Sequence, residues 1–179
     1  MSSHKVSCLV LSYPVLSDPD FETIQRFRKD NDELYYSIVD PHFTLVFPVY
    51  DMEEIGFVNE IKQKTKETKR FDFTLRCATI SKDAFNDYYH VFLVPDEGFS
   101  SIVKLHDELY SGLLFNQLRL DIDFIPHIGI GNSKDKLKCK KLVDEWNSTP
   151  FAIHGQVNQL TIVKFTDNKI IDLEEIRLK

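Results

Sequence analysis

Two histidines occupy matching places in two similar stretches of the sequence. His42 lies in PHFTL and His127 lies in PHIGI, 85 residues later (127 − 42). An imidazole titrates near neutral pH, so one ring can accept a proton while the other donates one. A single histidine on a strand is more often structural than catalytic, but a matched pair indicates a common site. The two residues therefore predict acid–base chemistry.

A hydroxyl group accompanies the first histidine. Thr44 follows His42 by two residues, and residues two apart on an extended chain project from the same face. His42 and Thr44 would therefore present a proton carrier and a hydrogen-bond donor side by side.

The elements that would carry these residues occur twice. From Pro41 and again from Pro126, the sequence runs through Pro-His, a strand, a lysine-rich helix, a strand that begins with Phe, a turn and a further strand. Such self-similarity indicates an internal duplication. Two βαββ halves would build a single domain, 1–179, of two lobes whose equivalent positions face each other across their junction.

Hydrophobic periodicity and turn residues give bounds for the predicted elements. Strands are predicted at 6–13, 42–50, 71–80, 88–94, 123–132, 151–165 and 170–178. Helices are predicted after Asp18, which would cap the first of them, and at 51–70, 100–117 and 134–147. In the second helix, Ile55, Val58 and Ile61 would form the buried side.

Composition and charge limit the class of protein. A chain of 179 residues with 42% hydrophobic residues is long enough for one well-buried soluble domain. The formal net charge of −6 opposes a protein that coats nucleic acid without sequence preference, because such binding relies on surplus Lys and Arg. A small phosphorylated ligand in a local site is compatible with that charge.

The cysteines and the N-terminal sequence indicate the compartment. Cys8, Cys77 and Cys139 are widely spaced, odd in number and without a CxxC pair, so free thiols in a reducing environment are expected. The N-terminal apolar run is too short for a membrane span and is interrupted too early for an export signal. A cytoplasmic location without a membrane anchor follows as the expectation.

The paired motifs resemble those of a known family. HFTL at His42 and HIGI at His127 are similar to the two H-x-T/S-x motifs of the two-histidine (2H) phosphoesterase superfamily, the 2′-5′ RNA ligase-like or cyclic phosphodiesterase proteins. The resemblance covers nearly the whole chain. It implies an α+β fold of two pseudo-symmetric lobes, each an antiparallel β-sheet with flanking helices. The motifs would lie on central strands and face each other across an active-site cleft.

The resemblance also implies an activity. It is hydrolysis of a 2′,3′-cyclic phosphodiester of a nucleotide or RNA end to the 2′-phosphomonoester, with no metal and no cofactor. His42 would donate a proton to the leaving oxygen, His127 would accept one from water, and Thr44 would donate a hydrogen bond to phosphate. The expected protein is a monomer whose partner is a nucleotide or RNA terminus with a cyclic phosphate.

One position departs from the family pattern. Gly129 stands where the second motif has Thr or Ser, so the second hydroxyl is missing. The glycine could let the backbone approach the ligand, or it could mark a weakened enzyme or a non-catalytic module that binds nucleotides or RNA ends. An RNA 2′-5′ ligase would share the same site and is a further alternative.

The remaining aromatic and histidine residues are given lesser roles. Tyr88 is a candidate for stacking on a base near the cleft. His90 and His154 are interpreted as ordinary strand residues, because neither has a partner at the spacing of metal ligands. His106 lies in a predicted helix, and a solvated face explains its acidic neighbours.

Overall fold

The computed structural model describes residues 6–179 and has an α+β architecture. Its strands are β1 (Ser7–Ser12), β2 (Val15–Leu16), β3 (Phe43–Val49), β4 (Phe71–Lys82), β5 (Tyr89–Glu97), β6 (Ile128–Ser133), β7 (Ile153–Val157), β8 (Gln159–Thr166) and β9 (Lys169–Arg177). Its α-helices are α1 (Asp18–Asn31), α2 (Glu54–Thr65), α3 (Phe99–Leu109) and α4 (Lys136–Asn147), and a 3₁₀ helix spans Gly112–Gln117.

The strands form two antiparallel sheets, which confirms the predicted fold class. The first sheet has the order β3-β1-β8-β9, and the second sheet has the order β2-β7-β4-β5-β6. Among the strands that the structure describes, β3 pairs only with β1 and β6 pairs only with β5. Both motif strands are therefore edge strands. The expectation of central strands was wrong, because β1, which precedes the first repeat, takes the place between β3 and β8.

The two sheets do not correspond to the two halves of the sequence. In the first half, β3 lies in the first sheet while β4 and β5 lie in the second sheet. In the second half, β6 and β7 lie in the second sheet while β8 and β9 lie in the first sheet. Each half thus contributes its motif strand to one sheet and its closing hairpin to the other.

Side-chain alternation on β3 separates the core from the site. Phe43 and Leu45 are buried, and the ring of Phe43 meets Phe73 of the second sheet edge to face at 5.0 Å. His42 and Thr44 have the opposite parity and are only half-buried. The predicted common face of these two residues therefore points away from the main core.

The structure corrects the predicted cap of α1 and the predicted buried face of α2. The cap of α1 is Ser17 rather than Asp18, because the Ser17 hydroxyl accepts from the Asp20 amide. In α2, Ile55 is 77% exposed, whereas Phe57 and Ile61 are fully buried, so the buried side differs from the predicted one.

The predicted helix 100–117 is divided in two. The α-helix ends at Leu109, and Gly112 has a φ of +60°, which a regular helix does not allow. The chain then continues as the 3₁₀ helix, where Leu113 is 68% exposed.

The predicted strand 151–165 is also two strands. Asn158 separates β7, which belongs to the second sheet, from β8, which belongs to the first. The hairpin of β8 and β9 turns at Asp167 and Asn168, both of which have positive φ angles, as tight two-residue hairpins require. No helix within residues 6–179 is long and apolar enough to cross a membrane.

Candidate active site

His42 lies directly before β3 and is oriented by the backbone. Its Nδ1–H donates to the carbonyl oxygen of Asp40, 2.7 Å away. This bond fixes the neutral ring in the tautomer that leaves Nε2 with a lone pair. Nε2 has no hydrogen-bond partner within the described residues. The arrangement leaves this nitrogen available to a ligand.

His127 has the same arrangement directly before β6. Its Nδ1–H donates to the carbonyl oxygen of Ile125, 2.6 Å away, which is again the residue two positions earlier. Its Nε2 likewise has no hydrogen-bond partner in residues 6–179. The duplication therefore extends to the hydrogen bond that orients each ring.

Burial favours the neutral form of both rings. Desolvation is the largest effect and lowers the pKa of His42 from its ordinary 6.5 to about 4, while the bond to Asp40 opposes this shift. The pKa of His127 is also lowered to about 4, mainly by desolvation and to a smaller extent by positive charge on His42, while the bond to Ile125 opposes the shift. Since the charge of one ring acts on the other, the two histidines lie in one electrostatic environment.

The residues around the two rings differ in charge. Asp32 and Asp40 raise the pKa of His42, although Arg28 lowers it. The two residues whose positive charge would lower the pKa of His127 are the histidines His42 and His90. His42 is therefore the ring with anionic neighbours.

Thr44 and Gly129 lie two residues beyond His42 and His127 on their strands. The Thr44 side chain is half-buried, and its hydroxyl makes no hydrogen bond within the described part of the chain. Gly129 does not have a positive φ angle. A Cβ built there would meet no described atom within 4 Å. Nothing in the backbone therefore requires glycine at position 129.

A buried ion pair supports the segment that leads into His42. Arg28 and Asp32 bind each other at 3.0 Å, and their side chains are only 2% and 3% exposed. Arg28 also donates to the carbonyl oxygen of Val39, 2.7 Å away. Asp32 accepts from the Asn132 amide, 2.5 Å away on β6. This network joins the approach to His42 with the strand that carries His127.

His106 connects the two motifs from the other side. A solvated helix face was predicted here, but the residue is 3% exposed and its Nδ1–H donates to the carbonyl oxygen of Leu45 on β3 at 2.8 Å. Its ring also stacks on Phe124, three residues before His127, with centroids 3.5 Å apart. Burial lowers the pKa of His106, so the ring is neutral and structural.

A row of stacked rings leads away from His127. Phe92 stacks on His127 at 3.6 Å, His90 on Phe92 at 5.6 Å, and Tyr35 on His90 at 6.3 Å, with interplanar angles of 17° to 19°. The Nε2–H of His90 donates to Asp83, 2.8 Å away, which fixes the middle of the row. We refer to these four rings as the aromatic row. His90 lies on β5 as a strand residue, as predicted, and it also takes part in the aromatic row.

Tyr88 lies far from the histidine pair along the second sheet. Its neighbour Tyr89 pairs with Ser133, six residues beyond His127 on β6. Six residues of strand span roughly 20 Å. The structure therefore places Tyr88 at the opposite end of the strand from His127, where the ammonium group of Lys134 lies 5.4 Å from its ring.

His154 also lies apart from the pair. Its Nδ1 is 3.1 Å from the Thr74 hydroxyl, which donates to Glu97. It belongs to β7, three strands from β6, so it does not extend the site. Within residues 6–179, no group of three or more His, Cys, Asp or Glu side chains is arranged to hold a metal ion.

The fold and the paired histidines correspond to one protein class. The model of the 2′-5′ RNA ligase superfamily matches residues 16–169, which is most of the chain. The chain therefore belongs to this superfamily, which is the group of 2H phosphoesterases. No match is found among curated protein sequences.

Solved structures of the superfamily share the fold. The apo form of E. coli LigT aligns with a TM-score of 0.65 at 15% identity, and 99% of each chain is covered. The E. coli LigT complex with 3′-AMP aligns with a TM-score of 0.60 at 12% identity, covering 98% of this chain and 99% of that one. Kluyveromyces marxianus Usb1 aligns with a TM-score of 0.54 at 10% identity, covering 95% and 98%.

Proposed function

We propose that this protein is a 2H phosphoesterase that hydrolyses a 2′,3′-cyclic phosphodiester of a nucleotide or RNA end. The observation that carries the proposal is the matched orientation of His42 and His127. Each ring donates from Nδ1 to the carbonyl oxygen two residues earlier and leaves Nε2 without a partner in residues 6–179. Two basic nitrogens held in this way suit proton transfer on both sides of one phosphorus atom.

The proposed step uses one histidine as base and the other as acid. Nε2 of His127 removes a proton from water while the water oxygen bonds to phosphorus. The bond from phosphorus to the 3′ oxygen breaks, and Nε2–H of His42 gives its proton to that oxygen. The product is the 2′-phosphomonoester, and a proton exchange with solvent restores both rings.

Desolvation lowers the pKa of both rings to about 4, so both are neutral before a ligand binds. Asp32 and Asp40 act against this shift at His42, although Arg28 adds to it. His42 and His90 both lower the pKa of His127, which favours the neutral base. An incoming phosphate adds negative charge near both rings and would raise the pKa of the proton donor toward neutral pH.

Thr44 is the proposed phosphate ligand. Its hydroxyl shares a face with His42 and makes no hydrogen bond in the described residues, so it is available to a nonbridging oxygen. Gly129 offers no such group, which favours a second candidate function, a nucleotide-binding module without turnover. Both candidates take a nucleotide ligand, and the solved complexes of E. coli LigT with 3′-AMP and of Kluyveromyces marxianus Usb1 with uridine monophosphate support that class.

The test is hydrolysis of a nucleoside 2′,3′-cyclic phosphate by protein pretreated with a chelator. Formation of the 2′-phosphate, assigned by NMR or chromatography against both regioisomers, is the expected result. Loss of turnover with chelator would overturn the metal-independent mechanism. Binding of the nucleotide without turnover would select the binding module, and joining of RNA ends would select a 2′-5′ ligase.

The cellular setting proposed here is a reducing cytoplasm. Cys8 and Cys139 are buried and Cys77 is exposed, and all three are free thiols as predicted. A monomer remains the expected state, and sedimentation analysis of the purified protein would test it.

A further inference from the structure

The C-terminal end of α1 carries a buried ion pair whose polar groups are almost all in use. The side chains of Arg28 and Asp32 are 2% and 3% exposed and bind each other at 3.0 Å. Arg28 makes four hydrogen bonds within the described residues, two to Asp32 and one each to Gln25 and Val39. A guanidinium group has five N–H donors in one rigid plane. Because most of these donors are bound, the orientation of the group is fixed.

The guanidinium group of Arg28 holds the acceptor that orients His42. It donates to the carbonyl oxygen of Val39, 2.7 Å away, and to the side-chain oxygen of Gln25, 2.9 Å away. Gln25 in turn donates to the carboxylate of Asp40 at 2.8 Å. Val39 and Asp40 are therefore both connected to Arg28. The carbonyl oxygen of Asp40 is the acceptor for Nδ1–H of His42.

Asp32 extends these contacts to the strand that follows His127. Its Oδ2 binds Arg28, and its Oδ1 accepts from the side-chain amide of Asn132, 2.5 Å away on β6. The side-chain oxygen of Asn132 accepts from the backbone amide of Glu33 at 3.1 Å. The backbones of Asp32 and Asn132 also form an isolated parallel β-bridge. Asn132 is 2% exposed and lies five residues after His127 (132 − 127), so the contacts reach both motif strands.

Stability alone is a poor explanation for this polar network of Arg28, Asp32 and Asn132. Burying two charges has a large desolvation cost, and well-packed apolar side chains of similar volume often stabilise a protein as much or more. A fully satisfied polar network does, however, specify one geometry. The strands β3 and β6 belong to different sheets, so strand pairing does not set the distance between them. The polar network provides a restraint between the two motif strands that the sheets do not.

We propose that Arg28, Asp32 and Asn132 are positioning residues that set the distance between Nε2 of His42 and Nε2 of His127. This inference rests on the proposed function, in which both nitrogens must reach groups on a single phosphorus atom. A displacement of a reacting group by about 1 Å can cost on the order of 10²-fold in rate. The three residues act through the histidines, so disturbing them should lower kcat and leave KM nearly unchanged.

The first experiment exchanges the amide and the carboxylate between the end of α1 and β6. Asn132→Asp sets two carboxylates against each other and should lower kcat for a nucleoside 2′,3′-cyclic phosphate by about ten-fold or more. Combining it with Asp32→Asn restores one amide and one carboxylate in reversed positions, so kcat should return to within about five-fold of wild type. A double variant whose melting temperature recovers while its kcat does not would overturn the inference.

The second experiment keeps the charge at position 28 and removes the planar set of donors. Arg28→Lys retains a cation beside Asp32, but an ammonium group cannot hold Gln25 and Val39 in the same geometry. We expect kcat to fall by about ten-fold. Arg26→Ala is the matched control, because it removes an exposed arginine from the same helix and should change neither kcat nor stability.

Nitrogen-15 NMR of the imidazole rings separates positioning from folding. In wild-type protein, His42 should be in the single Nδ1–H tautomer that its bond to Asp40 requires. Gln25→Ala removes a half-buried link to Asp40 and leaves the ion pair of Arg28 intact, so the variant should fold. Its His42 ring should show both tautomers, whereas the His127 ring should be unchanged. If Gln25→Ala and Arg28→Lys lower the melting temperature but keep kcat and the single tautomer, the network is only structural and the inference is wrong.

Titration with 3′-AMP keeps the inference testable if wild-type protein does not hydrolyse the cyclic phosphate. In that case the proposed activity fails, but one bound phosphate should still shift the ring signals of both His42 and His127. In Arg28→Lys the response of His42 should weaken while the response of His127 is retained. Equal responses in wild type and Arg28→Lys would contradict positioning, and so would a wild-type response confined to one ring.

Discussion

Replacing Gly129 by serine tests how the proposed site holds phosphate. Gly129 lies two residues beyond His127 on β6, in the position that Thr44 has relative to His42. Its φ angle is not positive, and a Cβ would find open space among the described residues. We therefore expect Gly129→Ser to fold without strain and to place a hydroxyl on the same strand face as His127.

We expect Gly129→Ser to raise turnover through one new hydrogen bond and to raise stability through one backbone restraint. A new donor to a nonbridging oxygen whose charge grows in the transition state should raise turnover by up to ten-fold, about 1.4 kcal/mol. Replacing a glycine at an unstrained position also reduces the conformational freedom of the unfolded chain. The free energy of unfolding should therefore rise by about 0.4 to 1 kcal/mol. For a domain of this size the melting temperature should rise by about 1 to 4 °C.

The assay is turnover of a nucleoside 2′,3′-cyclic phosphate together with a thermal unfolding curve for each variant. Gly129→Ala adds the Cβ without the hydroxyl and should raise stability without raising turnover. Gly131→Ser is the matched control on the same strand, because a Cβ there would lie 3.2 Å from the carbonyl oxygen of Asn31. It should lower the melting temperature, since helix α1 would have to move.

Two results would refute this reasoning. If Gly129→Ser folds normally but turns over more slowly, the open space belongs to the ligand and not to a missing hydroxyl. If Gly129→Ala and Gly129→Ser raise turnover equally, the gain comes from the backbone and no phosphate contact has been added.

Three further outcomes are expected. His42→Ala and His127→Ala should each reduce turnover on the order of 10²-fold or more. Both variants should remain folded, and a loss of stability as large as the ~3–5 kcal/mol of a core Phe deletion would show a structural role instead. Because burial holds the pKa of both rings at about 4, against 6.5 in the unfolded chain, unfolding binds protons and stability should fall as the pH drops from 6.5 toward 4. Thermal unfolding at pH 7 and pH 5 should show a smaller loss in His42→Ala than in wild type, and an equal loss would contradict the lowered pKa. Thr44→Val, which keeps the side-chain shape, should lower turnover with little change in melting temperature, and unchanged turnover would remove Thr44 from the phosphate site.

The sequence was sufficient for the fold class and for the idea of a paired site. Duplication leaves a visible trace, because PHFTL and PHIGI each open a strand that is followed by a lysine-rich helix. Alternation on β3 also placed His42 and Thr44 on one face and Phe43 on the other, as the structure confirms. These features depend on local spacing, which a single sequence contains.

The arrangement between strands could not be predicted in the same way. The aromatic row exists because β5 pairs with β6 in a register that sets Phe92 opposite Gly129. That register is a tertiary property, so the sequence contains no recognisable signal that Phe92 and Tyr35 lie in one row with His127. The predicted base-stacking residue, Tyr88, was chosen for its type and not for its distance from the pair.

Helix faces were misjudged where an apolar residue was assumed to be buried. Ile55 and Leu113 are exposed because the helices that carry them meet the core through other residues, such as Phe57 and Leu114. His106 shows the opposite case, since its polar ring is buried between β3 and the approach to His127. The face of a helix that becomes buried depends on which elements pack against it, and helical periodicity alone does not identify those elements.

The order of strands in the first sheet has a consequence for synthesis of the chain. Its strand β1 lies between β3 and β8, and β8 begins 110 residues after β3 ends (159 − 49). At ribosomal rates of about 5–20 residues per second, the sheet lacks half of its strands for roughly 5 to 20 s after β3 has been made. By then β6 and His127 have already been translated. A nascent chain that has passed His127 thus contains both histidines before the sheet beneath the first of them is complete, and that sheet is completed only when β8 and β9 have been made.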